Sequence, residues 1–107
     1  DAYGFFGYSY LVANKDKIKA SSINGVQPSL EGIQDYSYPI ARPLFFYVKK
    51  AHIGVIPGIK EFLKEFTSKK AMSNRGYLAE IGLVPLASDK YKVTRTAAVD
   101  LNTIKLK

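Results

Sequence analysis

Tyr38-Pro39-Ile40-Ala41-Arg42-Pro43-Leu44-Phe45-Phe46-Tyr47-Val48 is the stretch on which the fold turns. Two of its residues precede a proline, and a pre-proline residue avoids the α region. Tyr36 to Pro39 is therefore predicted extended, and Tyr38 to Pro43 a stiff strip that crosses from one part of the chain to the next. Leu44 to Val48 follows as a run of apolar residues, stopped by Lys49-Lys50. A continuous apolar run of this length suits a strand covered on both faces, as in the buried sheets of α/β folds.

Beyond the strip the period changes. Ile59, Phe62, Leu63 and Phe66 recur at i, i+3, i+4 and i+7, the apolar stripe of an amphipathic helix. The stripe predicts a helix over 57–69, with Pro57 in its first turn. All four residues are expected in the core, and Phe62→Ala should then cost about 3–5 kcal/mol. Glu65 and Lys69 are ordered for an i,i+4 pair. A second short helix is predicted over 74–80, burying Tyr77, Leu78 and Ile81, with Gly82 as its left-handed stop. Leu83 to Leu86 reads as extended. Ser88-Asp89 can cap a last helix reaching Val99, and Asn102 to Lys107 reads as a tail.

Towards the start, Tyr3-Gly4-Phe5-Phe6-Gly7-Tyr8 reads as a buried aromatic strand. Ser9 can cap a short helix to Asp16. Lys17 to Ser21 alternates, as a strand with one wet face does. Asn24-Gly25 signals a tight turn, because both residues tolerate positive φ. Ser29 is placed to cap a turn or two through Ile33.

The chain has 107 residues, 47% hydrophobic and 23% charged, which is a globular composition. No apolar run approaches the ~20 residues that span a bilayer. Asp1 is not followed by a basic region and an apolar stretch of the signal-peptide kind. Cysteine is absent, which excludes disulfides and thiolate chemistry. The net charge of +7 comes from lysines spread along the chain rather than from an Arg-rich tract. Fourteen aromatics invite comparison with a base-stacking platform, but Phe45-Phe46-Tyr47 is consecutive within an apolar run, which favours core.

Catalytic equipment is not visible. His52 is the only histidine, with no nucleophile elbow, and the nine carboxylates show no metal-ligand spacing. Neither a catalytic residue nor a metal nor a cofactor is predicted. Gly54-Val55-Ile56-Pro57-Gly58-Ile59-Lys60 has the composition of a phosphate loop, but Ile59 interrupts the required order. The free N–H groups at Gly58 could hold an anion, as at any helix start.

The order of elements says more. Tyr3 to Tyr10, Asn14 to Lys19, Ile23 to Ser29, Tyr38 to Val48, and Gly76-Tyr77-Leu78 to Gly82-Leu83-Val84-Pro85-Leu86 together resemble the phosphate-binding protein of bacterial ABC-type phosphate uptake. The resemblance is collinear over residues 3 to about 91 and is to the C-terminal third of such a protein. It implies an α/β fold, the C-terminal segment of a two-lobed periplasmic-binding-protein (type II) architecture. Residues 1–38 would close the second lobe and approach the hinge, and 39–107 would make the crossing and the C-terminal part of the first lobe. The implied hinge residues are Tyr36, Tyr38, Pro39, Arg42 and Pro43.

The same resemblance implies binding of inorganic phosphate for import, by an exported protein of the periplasm or cell envelope that docks on a membrane permease, with no enzymatic activity and no nucleic acid. In the family the anion is held by hydroxyls, helix-start N–H groups, an arginine and an aspartate, mainly from the earlier two-thirds of the polypeptide. The Ser-Gly-rich anion loop is not in this sequence, and Arg42 matches the crossing strip rather than the ligand arginine. No phosphate-binding residue is carried over, so this chain alone is predicted not to hold phosphate specifically. The alternatives are a protein for another oxyanion, such as sulfate or molybdate, and a basic nucleic-acid-binding module.

Overall fold

Side-chain caps start two of the short helices, and a 3.6-residue apolar period shapes a third. In the computed structural model, which describes residues 2–105, the elements run in the order α1 (Tyr8–Ala13), α2 (Leu30–Gln34), a 3-10 turn (Lys50–His52), α3 (Ile59–Phe66), α4 (Lys69–Met72), α5 (Tyr77–Glu80) and α6 (Ser88–Val99). Asp1, Leu106 and Lys107 lie outside the described residues, and so do the last two positions of the predicted tail. No helix among the described residues is long and apolar enough to cross a membrane.

The caps are concrete. Ser29 Oγ accepts from the Gly32 N–H at 3.0 Å and so starts α2. Ser68 Oγ accepts from the Ala71 N–H at 3.2 Å and starts α4. Each satisfies a helix-end donor, worth about 1 kcal/mol against alanine. Asn24-Gly25 forms the predicted tight turn, with φ of 51° and 78°, closed by an antiparallel bridge between Ile23 and Val26. At Gly82, φ is 105°, which ends α5 in the left-handed region as predicted. A side chain there would also collide with Ser9 of α1.

The core sits where α3, α4, α5 and α6 meet. Leu63, Thr67, Ala71 and Gly76 are its buried residues. Gly76 is buried because of close approach: a Cβ there would fall on the Ala71 carbonyl. Thr67 donates its hydroxyl to the Leu63 carbonyl at 2.7 Å, so its polar atom is satisfied inside the helix end.

Several expectations need correction. The helix over 57–69 divides at Thr67 and Ser68, because the Thr67 hydroxyl and the Ser68 cap each draw backbone groups away from a continuous helix. Pro57 stands before the N-cap, Gly58, rather than in the first turn. Phe62 is 52% exposed, whereas Leu63 is 6% exposed, so the stripe docks through its Leu63 edge. Its ring packs against those of Phe46 and Phe66, with centroids 5.4 and 5.8 Å away. Ser9 lies inside α1, whose N-cap is Gly7, and α1 ends at Ala13 rather than near Asp16. Tyr77 and Ile81 are exposed, because α5 is one short turn and presents only part of its surface inward. Glu65 Oε1 accepts from the Tyr77 hydroxyl at 3.3 Å, which places Glu65 against α5.

The strand readings meet a different outcome. Residues 2–7, 18–22 and 41–49 carry no regular element and no ladder among the described residues, where only the isolated bridges Ile23–Val26 and Ile53–Ile56 occur. The apolar strips at 2–7 and 44–47 are therefore exposed rather than buried, and Val48 is half-buried. A strand needs a second strand for its N–H and C=O groups, and the described residues of this chain do not supply one. The sheet half of an α/β fold is thus not formed within these residues. The radius of gyration, 16.6 Å, exceeds the roughly 13 Å of a compact domain of this length.

Candidate functional site

The segment between α2 and the strip at 44–48 gathers the polar and strained features of the first half of the chain. The first of them is Asp35, the C-cap of α2. Its Oδ1 accepts from the Ser37 N–H at 2.8 Å. That backbone hydrogen bond, then the Ser37 hydroxyl, and at longer range the Lys90 ammonium, hold the Asp35 carboxyl below its ordinary value. Tyr36 follows with φ 63°, the left-handed position after a helix that glycine usually takes. The predicted extended geometry at Tyr36 is therefore overturned: closing α2 requires this residue to reverse direction. The Tyr36 N–H reaches back to the Ile33 carbonyl at 3.4 Å, and the Tyr38 N–H donates to the Gly32 carbonyl at 2.9 Å.

The predicted stiff strip is also bent. Pro39 and Ile40 occupy the centre of a turn, closed by the Ala41 N–H on the Tyr38 carbonyl at 3.0 Å. Pro39 pre-sets φ for the first central position of such a turn. Arg42 and Pro43 lie beyond it, exposed.

The segment is tied to α6 and its approach by two contacts. Gln34 Nε2 donates to the Pro85 carbonyl at 2.8 Å. Lys90 Nζ stands over the Tyr36 ring, 4.2 Å from its centroid, within the range of a cation–π contact. Of the five hinge residues named from sequence, Tyr36 is thus engaged by a distant element, Tyr38 and Pro39 shape the turn, and Arg42 and Pro43 make neither of these two ties. Gln34 and Lys90 escape sequence reasoning: their partners lie 51 and 54 positions away, and no local period encodes such a pairing.

The other candidates stay apart. His52 ends the 3-10 turn, exposed, and its carbonyl accepts from Val55 and Ile56. Gly58 caps α3 through its backbone alone. Ser9 is exposed in α1, and Tyr10 stacks on Phe6 at 5.2 Å. Among the described residues no group of three or more His, Asp or Glu is placed to hold a metal ion. The arrangement can fix a reversal of the chain against a helix.

Residues 2–70 match the family model of the PBP superfamily domain. The chain is 38% identical over 86 residues to the protein called phosphate-binding protein PstS in Staphylococcus aureus strain USA300, covering 74% of this chain and 26% of that protein. The protein of that name in strain COL matches equally, and that of the bovine strain RF122 / ET3-1 is 36% identical over the same length and coverage. The chain thus spans about a quarter of the length of these relatives. No solved structure matches significantly.

Proposed function

The chain belongs to the PBP superfamily, and from that premise we propose that it is part of the phosphate-binding component of an ABC-type importer. The observation that carries the reading is the 38% identity, sustained over 86 residues, to proteins named for phosphate binding. The collinear order of the aromatic start, the Asn24-Gly25 turn, the proline crossing and the Gly82 stop supports it. The role is transport binding rather than catalysis, in an exported protein that delivers its anion to a membrane permease.

The finer architecture is part of the same proposal. Residues 1–38 close one lobe, 39–107 belong largely to the other, and 36–43 cross between them in a two-lobed, type II arrangement. The turn at Tyr38–Ala41 and the reversal at Tyr36 give this crossing few backbone states, which suits a short hinge.

Calorimetric titration tests the reading. Inorganic phosphate is titrated into the 107-residue chain and into a relative-length protein that contains it, with sulfate, molybdate and chloride as controls. The chain alone should bind more weakly than roughly 1 mM, because a +7 surface and free helix starts give only screened attraction. The longer protein should bind phosphate saturably and in preference to sulfate. Preference for sulfate or molybdate there would overturn the phosphate reading. Saturable micromolar phosphate binding by the chain alone would place a ligand site within it.

A further inference from the structure

α6 and the residues that lead into it touch both sides of the crossing. On one side, Gln34 Nε2 donates to the Pro85 carbonyl at 2.8 Å, and Lys90 Nζ stands 4.2 Å from the centroid of the Tyr36 ring. Gly82, at the end of α5, lies so close to Ser9 that a side chain there would collide with it. The stretch 82–90 thus reaches α1, α2 and Tyr36. On the other side, Tyr91 and Arg95 both donate to the Thr67 carbonyl, at 2.9 and 2.7 Å. Lys90 and Tyr91 are adjacent, so the hold on the segment before the crossing passes directly to the hold on the segment after it.

The crossing itself is held less. Among the described residues, Arg42 to Val48 make no backbone hydrogen bond, and no hydrogen bond joins 2–38 directly to 44–70. Two bodies joined by one short connection can rotate about it, and a second link placed beside the connection removes much of that freedom.

We propose that 82–90 is a second link across the crossing, non-covalent and parallel to the polypeptide. In this link Lys90 is a positioning residue: seated on Tyr36, it holds 2–38 and 44–105 near the mutual orientation in which the anion is enclosed. The role in closure rests on the reading under Proposed function; the link itself does not. Gln34 and Tyr36 stand in the approach to the crossing, and points near a hinge axis move least when it turns, so these contacts survive closure. A restraint that survives closure leaves less freedom to lose when the anion binds, and so strengthens binding. A cation–π contact suits the place. The ring attracts the ammonium across its whole face, so the contact tolerates small rotations that would break a directional hydrogen bond. The same ammonium acts on the Asp35 carboxylate at longer range, which adds to its hold on this side.

Two arms test this. In the chain alone, the ε-methylene protons of Lys90 should show an upfield ring-current shift, lost in Tyr36→Leu and kept in Tyr36→Phe. Residual dipolar couplings of α1, α2, α3 and α6 should fit one alignment tensor. Lys90→Met with Gln34→Ala should split them into two, α1 and α2 apart from α3 and α6, with the helical circular dichroism unchanged. Two tensors in the parent chain, or one in the double variant, would overturn the link. The second arm is phosphate titration of a chimera in which this chain replaces the matched segment of the Staphylococcus aureus protein. Lys90→Met, an exposed substitution, and Tyr36→Leu should each weaken binding about 2–5-fold, the worth of an exposed cation–π contact, and together no more than Lys90→Met alone. Lys90→Arg and Tyr36→Phe should bind as the parent does. Unchanged or tighter binding in Lys90→Met would overturn the positioning role, and additive losses would uncouple the two residues and overturn the link. A parent chimera that binds no phosphate overturns the phosphate reading and the role in closure, while the tensors of the first arm still decide the link.

Discussion

Tyr91 and Arg95, one turn apart on α6, donate to the same oxygen, the carbonyl of Thr67, at 2.9 and 2.7 Å. That carbonyl lies at the C-cap of α3, where helix carbonyls lack intrahelical donors. The guanidinium also reaches the Lys64 carbonyl at 3.4 Å, so a cation stands at the negative end of the α3 dipole. Thr67 itself is 4% exposed, so its carbonyl depends on these protein donors.

A shared acceptor predicts unequal losses. Tyr91→Phe should cost about 0.5–1.5 kcal/mol and Arg95→Met about 1–2 kcal/mol, since each leaves the other donor in place. The double variant should cost more than the sum by at least 0.5 kcal/mol or so, because only then is the carbonyl left unpaired. Urea unfolding followed at 222 nm gives all three values, and strict additivity would show that the two donors act separately.

Leu63 and Phe62 are adjacent, yet their truncations should differ in the direction opposite to side-chain size. Leu63→Ala should cost about 2–4 kcal/mol, as expected for emptying a buried site. Phe62→Ala should cost about 1–2 kcal/mol, because half its surface is already in water and little cavity is created. The same unfolding measurement decides, and a larger loss at Phe62 would return it to the core.

Gly76→Ala should destabilise the α4–α5 corner by about 1–3 kcal/mol, the usual range for overpacking. The added methyl falls on the Ala71 carbonyl, which is backbone and cannot step aside as a flexible side chain can. Thermal unfolding should show the loss, and a neutral substitution would mean that the corner opens easily.

Asp35 should titrate below the ordinary carboxylate value of 3.8. Its ionised form accepts from Ser37, so its contribution is present above the unfolded value and is lost as pH falls through the lowered folded value. Carboxyl resonances of Asp35 and the Ser37 amide shift should move together in that acidic range. An Asp35 midpoint at or above 3.8 would remove this hydrogen bond from the account.

The legible parts of the fold were those written locally. Ser29 before α2, Asn24-Gly25 and Gly82 each carry a conformational preference that no distant contact has to supply, and the structure places all three as the sequence implies. The stripe at Ile59, Phe62, Leu63 and Phe66 gave the helix but not its docked edge. Which side of a stripe is buried depends on α6, and Tyr91 and Arg95 arrive from 24 to 31 positions away. Leu44–Val48 showed the composition of a buried strand, but a ladder is a property of two segments. Tyr36 departs from extended geometry because the proline rule acts on Tyr38 alone, whereas Tyr36 closes a helix at φ 63°. Its partner Lys90 had no local signature.

Two demands meet at Tyr36 and pull towards different amino acids. The backbone at φ 63° favours glycine, whereas the ring seats the Lys90 ammonium 4.2 Å away. Holding a side chain there costs on the order of 1 kcal/mol, and the cation contact returns a similar amount. Glycine or asparagine would relax the chain reversal and give up the Lys90 contact, while phenylalanine would keep both the strain and the contact. The position is therefore a compromise whose net free energy is near zero, and its value lies in joining two distant segments rather than in stabilising either one.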